Sequence, residues 1–147
     1  MKRSSLRLPI GDFMTAAPHS IGRDQTLSSA LALMHRYDIR HLPVLEGGRI
    51  AGLLSQRDVM FVETLRDVDP AKVAVEEAMS TDVYAVGPQT PLVEVVADMA
   101  EHKYGCVVVV EGSHVAGIFT TVDALAALVS VLHSTEGGQP AGAHTNS

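Results

Sequence analysis

Apolar residues recur at helical spacing twice along the chain, as Leu27, Ala30, Leu31 and Met34 and again as Leu92, Val95, Val96 and Met99. Each set makes one face of an amphipathic helix. The first set follows Asp24, which is the expected N-cap, and the second follows Thr90-Pro91. Beyond each helix the pattern changes. His41-Leu42-Pro43-Val44-Leu45 and the run from Gly105 to Val110 are apolar and partly β-branched. Each leads into a glycine-containing turn, Glu46-Gly47-Gly48 or Glu111-Gly112-Ser113, and a second short strand, which predicts a hairpin. The second strand ends at Ser55 or Thr120, and apolar-rich helices are predicted over Gln56 to Arg66 and Thr121 to Leu132. Short extended pieces near His19-Ser20-Ile21 and Val83-Tyr84-Ala85 precede the first helix of each set, so both units read β-α-β-β-α.

The duplicated order is an internal repeat. Aligning Met14 with Met79 brings Gly22 onto Gly87, Leu27 onto Leu92, Met34 onto Met99, Gly52 onto Gly117 and Asp58 onto Asp123 without a gap. Either copy is too small to bury a good core alone. The expected fold is therefore α/β (α+β), with two pseudo-symmetric β-α-β-β-α repeats packed through their sheets and a site at the seam. Repeat 1 is assigned to residues 10–66, a linker carrying Pro70 to 67–74, repeat 2 to 75–132, and a small, polar, flexible tail to 133–147.

Composition narrows the function classes. A chain of 147 residues, 46% hydrophobic and 19% charged, suits one compact domain. A net charge of -6 argues against a nucleic-acid partner, since a phosphate backbone needs a basic face. Cys106 is the only cysteine, so no internal disulfide forms. Arg7, Pro9, Gly11 and Asp12 interrupt any signal-peptide core after Met1-Lys2-Arg3, and the longest apolar runs fall short of the ~20 residues that span a bilayer. A cytoplasmic protein with no membrane association is expected. The histidines lack zinc-site spacing, Cys106 lies in an apolar run, and no Ser-His-acid set or phosphate-binding glycine loop is visible, so neither a metal site nor an enzyme is expected.

The stretch Gly52-Leu53-Leu54-Ser55-Gln56-Arg57-Asp58 and its twin Gly117-Ile118-Phe119-Thr120-Thr121-Val122-Asp123 carry the candidate chemistry. A hydroxyl followed three residues later by an acid, where a strand becomes a helix, is close to a capping box, and a cap alone would explain it. The same geometry also suits a nucleoside. A helix N-terminus presents N–H groups to an anion, and a carboxylate accepts hydrogen bonds from a vicinal diol such as ribose.

The paired units, the Phe13-Met14-Thr15 and Ala78-Met79-Ser80 openings, the His41-Leu42-Pro43-Val44 strand and the Gly-apolar-apolar-Ser/Thr-x-x-Asp endings together resemble a CBS-domain pair over Ile10 to Leu132. The resemblance implies a non-catalytic regulatory module that needs no cofactor and binds an adenosyl ligand of the AMP, ADP or ATP class, with S-adenosylmethionine or NAD as further candidates. By the same resemblance Ser55 with Asp58, and Thr120 with Asp123, would hold ribose and phosphate. Adenine would meet Thr15 and His19 or Ser80 and Tyr84, together with Ile39, Arg40 and His41 or Tyr104, Gly105 and Cys106.

Copy two departs from copy one: Gly105-Cys106 replaces Arg40-His41, and Lys103 is its only Lys or Arg from Glu76 to Leu125. One phosphate-competent cleft lined by Arg40, His41 and Arg57 is expected, beside one better suited to a neutral or cationic adenosyl group. Arg23, Arg36 and Arg49 have a plain alternative as solvated surface residues. Ala124 to Leu132 is apolar on nearly every side, and Val59, Met60, Phe61, Val62 and Leu65 almost match it, which points to a homodimer through these helices. Two functions follow: a ligand sensor that changes dimer shape to regulate a protein encoded elsewhere, or a ligand-independent dimerising scaffold.

Overall fold

The computed structural model describes residues 7–65 and 67–136. Strand β1 (Thr15–Ala16) and strand β2 (Ile21–Gly22) lead into helix α1 (Leu27–Tyr37), the hairpin β3 (His41–Glu46) and β4 (Arg49–Ser55), and helix α2 (Gln56–Glu63). The second copy repeats this with β5 (Ala85–Val86), α3 (Leu92–His102), β6 (Cys106–Glu111), β7 (His114–Thr120) and α4 (Thr121–Glu136). One sheet runs β2-β3-β4 and the other β1-β7-β6-β5, with β2 parallel to β3 and β5 parallel to β6. Strands β4 and β7 carry the contact between the two sheets.

Each helix buries the face that its periodicity marks. Leu27, Ala30 and Met34 of α1 enter one core with Leu42, Val44, Leu54 and Val59, while Leu92, Val95 and Met99 of α3 enter the other with Val107, Val109, Phe119 and Ala127. Both helices stop at a left-handed residue, Asp38 and Lys103, whose N–H returns to the last turn.

The structural lobes do not coincide with the sequence copies. Ile10, at the head of copy one, is fully buried in the core of copy two, and Val75, at the head of copy two, is fully buried in the core of copy one. Backbone bonds fix the exchange symmetrically. Ile10 N–H donates to the Thr90 carbonyl at 2.8 Å, and Val75 N–H donates to the Gln25 carbonyl at 2.7 Å. Burying one isoleucine or valine contributes about 1.5 to 3 kcal/mol, so each lobe depends on a segment lent by the other copy.

Several sequence expectations shift. Thr26, not Asp24, caps α1, accepting from Ser29 N–H at 3.1 Å. The extended pieces fall one to two residues later, at β2 and β5, and β6 begins at Cys106. Helix α2 ends at Glu63 rather than Arg66, because Thr64 closes it by donating to the Phe61 carbonyl at 2.6 Å. Helix α4 continues to Glu136, so residues 133–136 are helical and not tail, while 137–147 lie outside the described residues. Strand β1 was not expected at all. It is built by pairing across copies, which periodicity within one copy does not register.

Candidate functional site

Both Ser/Thr-x-x-Asp elements stand where a strand becomes a helix, at the end of each sheet where the central strand begins. Register places His41 opposite Ser55 and Cys106 opposite Thr120. The beginnings of β3 and β6 face one another across the seam. A Cβ added to Gly105 would lie 3.9 Å from His41 Nε2.

The first corner is a complete capping box. Ser55 Oγ accepts from Asp58 N–H at 3.1 Å, and Asp58 Oδ2 accepts from Ser55 N–H at 2.9 Å. Gln56 N–H is taken by the Arg40 carbonyl at 2.8 Å. Among the described residues, Arg57 N–H is then the donor of the first turn left without a protein partner. The second corner matches it: Thr120 N–H donates to Asp123 Oδ2 at 2.9 Å, Asp123 N–H donates to Thr120 Oγ1 at 3.3 Å, and Thr121 N–H reaches the Gly105 carbonyl at 3.2 Å. All four Ser, Thr and Asp side chains are half-buried.

The opening segments meet these corners crosswise. Thr15 belongs to copy one, yet its Oγ1 donates to Asp123 Oδ1 at 3.2 Å. Ser80 belongs to copy two, yet it exchanges backbone hydrogen bonds of 2.9 Å with Leu53, two residues ahead of Ser55. Each corner is therefore composite, a grouping that the spacing within one copy does not reveal. The glycine of each motif has a packing reason. A Cβ at Gly52 would lie 2.6 Å from Met79 Sδ, and one at Gly117 would lie 2.5 Å from Met14 Sδ, so both glycines admit the crossing segment.

The predicted base-contacting residues fall into two aromatic groups. His19 stacks on Tyr37 with ring centroids 3.7 Å apart, and the Arg36 guanidinium sits 5.5 Å from the Tyr37 centroid. Tyr84 packs against Tyr104 at 5.0 Å, Tyr104 against His102 at 5.3 Å, and Tyr84 donates to Asp98 Oδ2 at 2.7 Å. Tyr37, Asp98 and His102 were missed by the sequence reading. Tyr37 and His102 occupy matching repeat positions, and that was the available signal. Ile39 packs against the first core, half-buried.

Electrostatics separate the two corners. Arg40 and Arg57 are exposed beside the first, whereas their counterparts Gly105 and Val122 bring no charge to the second. Burial holds His41 below the ordinary imidazole range, Asp58 pulls it back up and Arg40 opposes that pull. Burial pushes the Cys106 thiol up to about 12, with Asp123 adding to it. Burial and the bond to Asp98 raise the Tyr84 hydroxyl to about 12. Arg23 faces neither corner, because its guanidinium bridges Glu46 at 2.6 Å and Glu76 at 2.8 Å. That pairing ties the opening segment of repeat 2 to the first lobe.

Among the described residues no three His, Cys, Asp or Glu side chains gather as metal ligands, and no helix is long and apolar enough to cross a membrane. The corners supply carboxylate acceptors, hydroxyls already engaged in capping and a protonated thiol. That is equipment for holding hydroxyl groups. Fold and site together define a tandem of β-α-β-β-α units with two composite corners related by pseudo-symmetry. The chain belongs to the CBS domain family, whose model matches residues 10–63 and 75–130.

Relatives bear the same architecture. The CBS domain-containing protein YhcV of Bacillus subtilis is 28% identical over 114 residues, which span 78% of this chain and 81% of YhcV. The solved structure of a putative acetoin utilization protein (AcuB) from Vibrio cholerae is 34% identical, with TM-score 0.81 over 92% of this chain and 100% of that one. The fold also matches CBSX2 solved with AMP, at 20% identity and TM-score 0.74 over 84% of this chain and 98% of that one. It matches the CBS domain pair of MJ0100 solved with 5'-methylthioadenosine and S-adenosyl-L-methionine, at 22% identity and TM-score 0.72 over 87% and 97%.

Proposed function

We propose that this protein is a regulatory module that binds an adenosyl ligand at its two seam corners and, as a homodimer, transmits the occupancy to a protein encoded elsewhere. The observation that carries this reading is the acceptor left open at the first corner. Asp58 uses Oδ2 for the Ser55 N–H, while among the described residues Oδ1 accepts from no protein donor. A half-buried carboxylate with spare lone pairs beside Arg40, His41 and the Arg57 N–H is matched to a ribose diol and an adjoining phosphate. Family members solved with AMP or with S-adenosyl-L-methionine support that ligand class. The second corner, with Gly105 and Val122 in place of the arginines, suits a neutral or cationic adenosyl group.

A thermal-shift panel of AMP, ADP, ATP, NAD and S-adenosylmethionine tests the reading, since a ligand at ~100 times its dissociation constant adds about 2.7 kcal/mol of stability. A rise with at least one member is expected, and Arg40→Ala should weaken the phosphate-bearing members most. The complete capping boxes favour one rival: they account for Ser55, Asp58, Thr120 and Asp123 with no ligand at all. Flat melting temperatures across the panel would favour that rival, a dimerising scaffold with vestigial corners.

A further inference from the structure

The two corners differ in how many hydrogen bonds their carboxylates accept, and one of the extra bonds is predicted by no repeat pattern. At the second, Thr15 Oγ1 donates to the Asp123 carboxylate, 3.2 Å from Oδ1 and 3.4 Å from Oδ2. At the first, the counterpart Ser80 meets Leu53 through the backbone, and among the described residues its hydroxyl has no protein partner. An ionised carboxylate has about four lone-pair sites. Asp123 spends them on Thr120 N–H, Thr120 Oγ1 and Thr15 Oγ1, whereas Asp58 spends one on Ser55 N–H. A vicinal diol brings two donors. Asp58 can take both, but Asp123 cannot take both without releasing a bond it already has.

The bond it can release most readily is Thr15's. The Thr120 N–H bond is part of the capping of α4, and the Thr120 hydroxyl that donates the other is held in place by accepting from Asp123 N–H. Thr15 arrives from a two-residue strand whose far end is strained. Thr15 and Ala16 pair with Ile118 and Gly117, Ala17 N–H reaches the Ala116 carbonyl at 3.1 Å, and Ala17 has a φ of 48°. A Cβ residue in that left-handed region crowds the following carbonyl oxygen and stays there only while its surroundings hold it. The counterpart Asp82 has no such φ, and its segment is held by the single bridge from Ser80 to Leu53.

From these contrasts we infer that residues 15–17 form a displaceable latch on the second corner. Thr15 occupies Asp123 until a ligand diol claims the carboxylate, whereupon Ala17 relaxes and the segment leaves β7. Binding at the first corner moves nothing, while binding at the second frees residues 15–17 from the edge of β7. The inference rests on the reading of Asp123 as a diol acceptor.

Hydrogen exchange at the Ala17 amide tests it, with S-adenosylmethionine, the cationic member of the panel, as the probe. Without ligand, Thr15→Val should speed exchange at Ala17, and Thr15→Ser should restore the wild-type rate. Unchanged exchange in Thr15→Val would overturn the latch whatever the probe does. Saturating S-adenosylmethionine should speed exchange over residues 15–17 in the wild-type protein. Slower exchange there would make Thr15 an ordinary ligand contact and remove the latch while leaving the binding reading intact. In an Asp58→Asn background, calorimetry should show Thr15→Val binding S-adenosylmethionine about 3- to 10-fold more tightly, the worth of one net hydrogen bond. Equal or weaker binding would sink the latch alone. No binding of S-adenosylmethionine or any other panel member in these proteins would remove the ligand reading and the latch with it.

Discussion

Gly52 lies so close beneath Met79 that a Cβ on it would stand 2.6 Å from the Met79 sulfur and 2.8 Å from the Ser80 carbonyl oxygen. Gly117 meets Met14 and Thr15 in the same way. The glycine of each motif therefore serves the exchange of opening segments. Gly52→Ala and Gly117→Ala should each destabilise the fold by about 1 to 3 kcal/mol, as overpacking does. Urea denaturation would measure it. Trimming the sulfur in a Gly52→Ala/Met79→Ala double variant should not restore stability, since the Ser80 carbonyl is backbone and stays in place.

Asp58 has two duties that one substitution can part. Asparagine keeps an oxygen able to accept the Ser55 N–H, so Asp58→Asn should leave stability within about 1 kcal/mol of wild type. It removes the charge and half the acceptor capacity, so AMP affinity at the first corner should fall at least ~10-fold, the cost of losing charge-assisted hydrogen bonds. Ser55→Ala should do the reverse, losing about 1 kcal/mol of cap with a smaller change in affinity. Paired denaturation and calorimetry check both. Equal losses of affinity in the two variants would mean that the corner acts through its shape and not through Asp58.

The order β-α-β-β-α was legible because its signals are local: a 3.6-residue period in Leu27, Ala30 and Met34, and a glycine turn between two apolar runs. The corner motif was legible because it is contiguous. What the chain did not disclose is the partnership of Thr15 with Asp123 and of Ile10 with the core around Phe119, since both join residues far apart in sequence and in different copies. Arg23 shows the same limit. Its composition class suggested a solvated or cleft-facing arginine, but only the fold brings Glu46 and Glu76 to its two sides.

His41 gives the fold a pH dependence whose sign is fixed. Burial lowers its pKa below the unfolded value near 6.5, so at acidic pH the unfolded chain binds the proton more readily than the folded one. Above about pH 6.5 both states are neutral and nothing is lost. As pH falls below that value stability should decline, by less than about 1.4 kcal/mol per pH unit for one group, until the folded histidine protonates as well. His41→Gln should flatten the slope between pH 6.5 and 5 in denaturant titrations. An unchanged slope would assign the dependence to other groups. An anionic phosphate bound beside Arg40 should oppose the effect by favouring the imidazolium, so saturating AMP should reduce the acid-side loss.

Helix α4 divides its apolar residues between two opposite faces. Ala124, Ala127 and Val131 turn toward the second core, while Val122, Leu125, Leu128, Val129 and Leu132 face outward, with Val122 72% exposed. On α2, Val59 is buried and Phe61 is 64% exposed beside Met60. A helix of 16 residues is ~24 Å long, so the outward side chains of α4 form an apolar strip along it and not a scatter of single side chains. Covering it with the same surface of a second copy removes both strips from water at once, which a closed twofold arrangement permits. Leu128→Asp or Phe61→Asp should leave the protomer folded, because each residue is half or more exposed within it, yet shift sedimentation from dimer to monomer at micromolar concentration. A wild-type protein that sediments as a monomer throughout that range, or aspartate variants that remain dimers, would show that this strip is not where two copies meet.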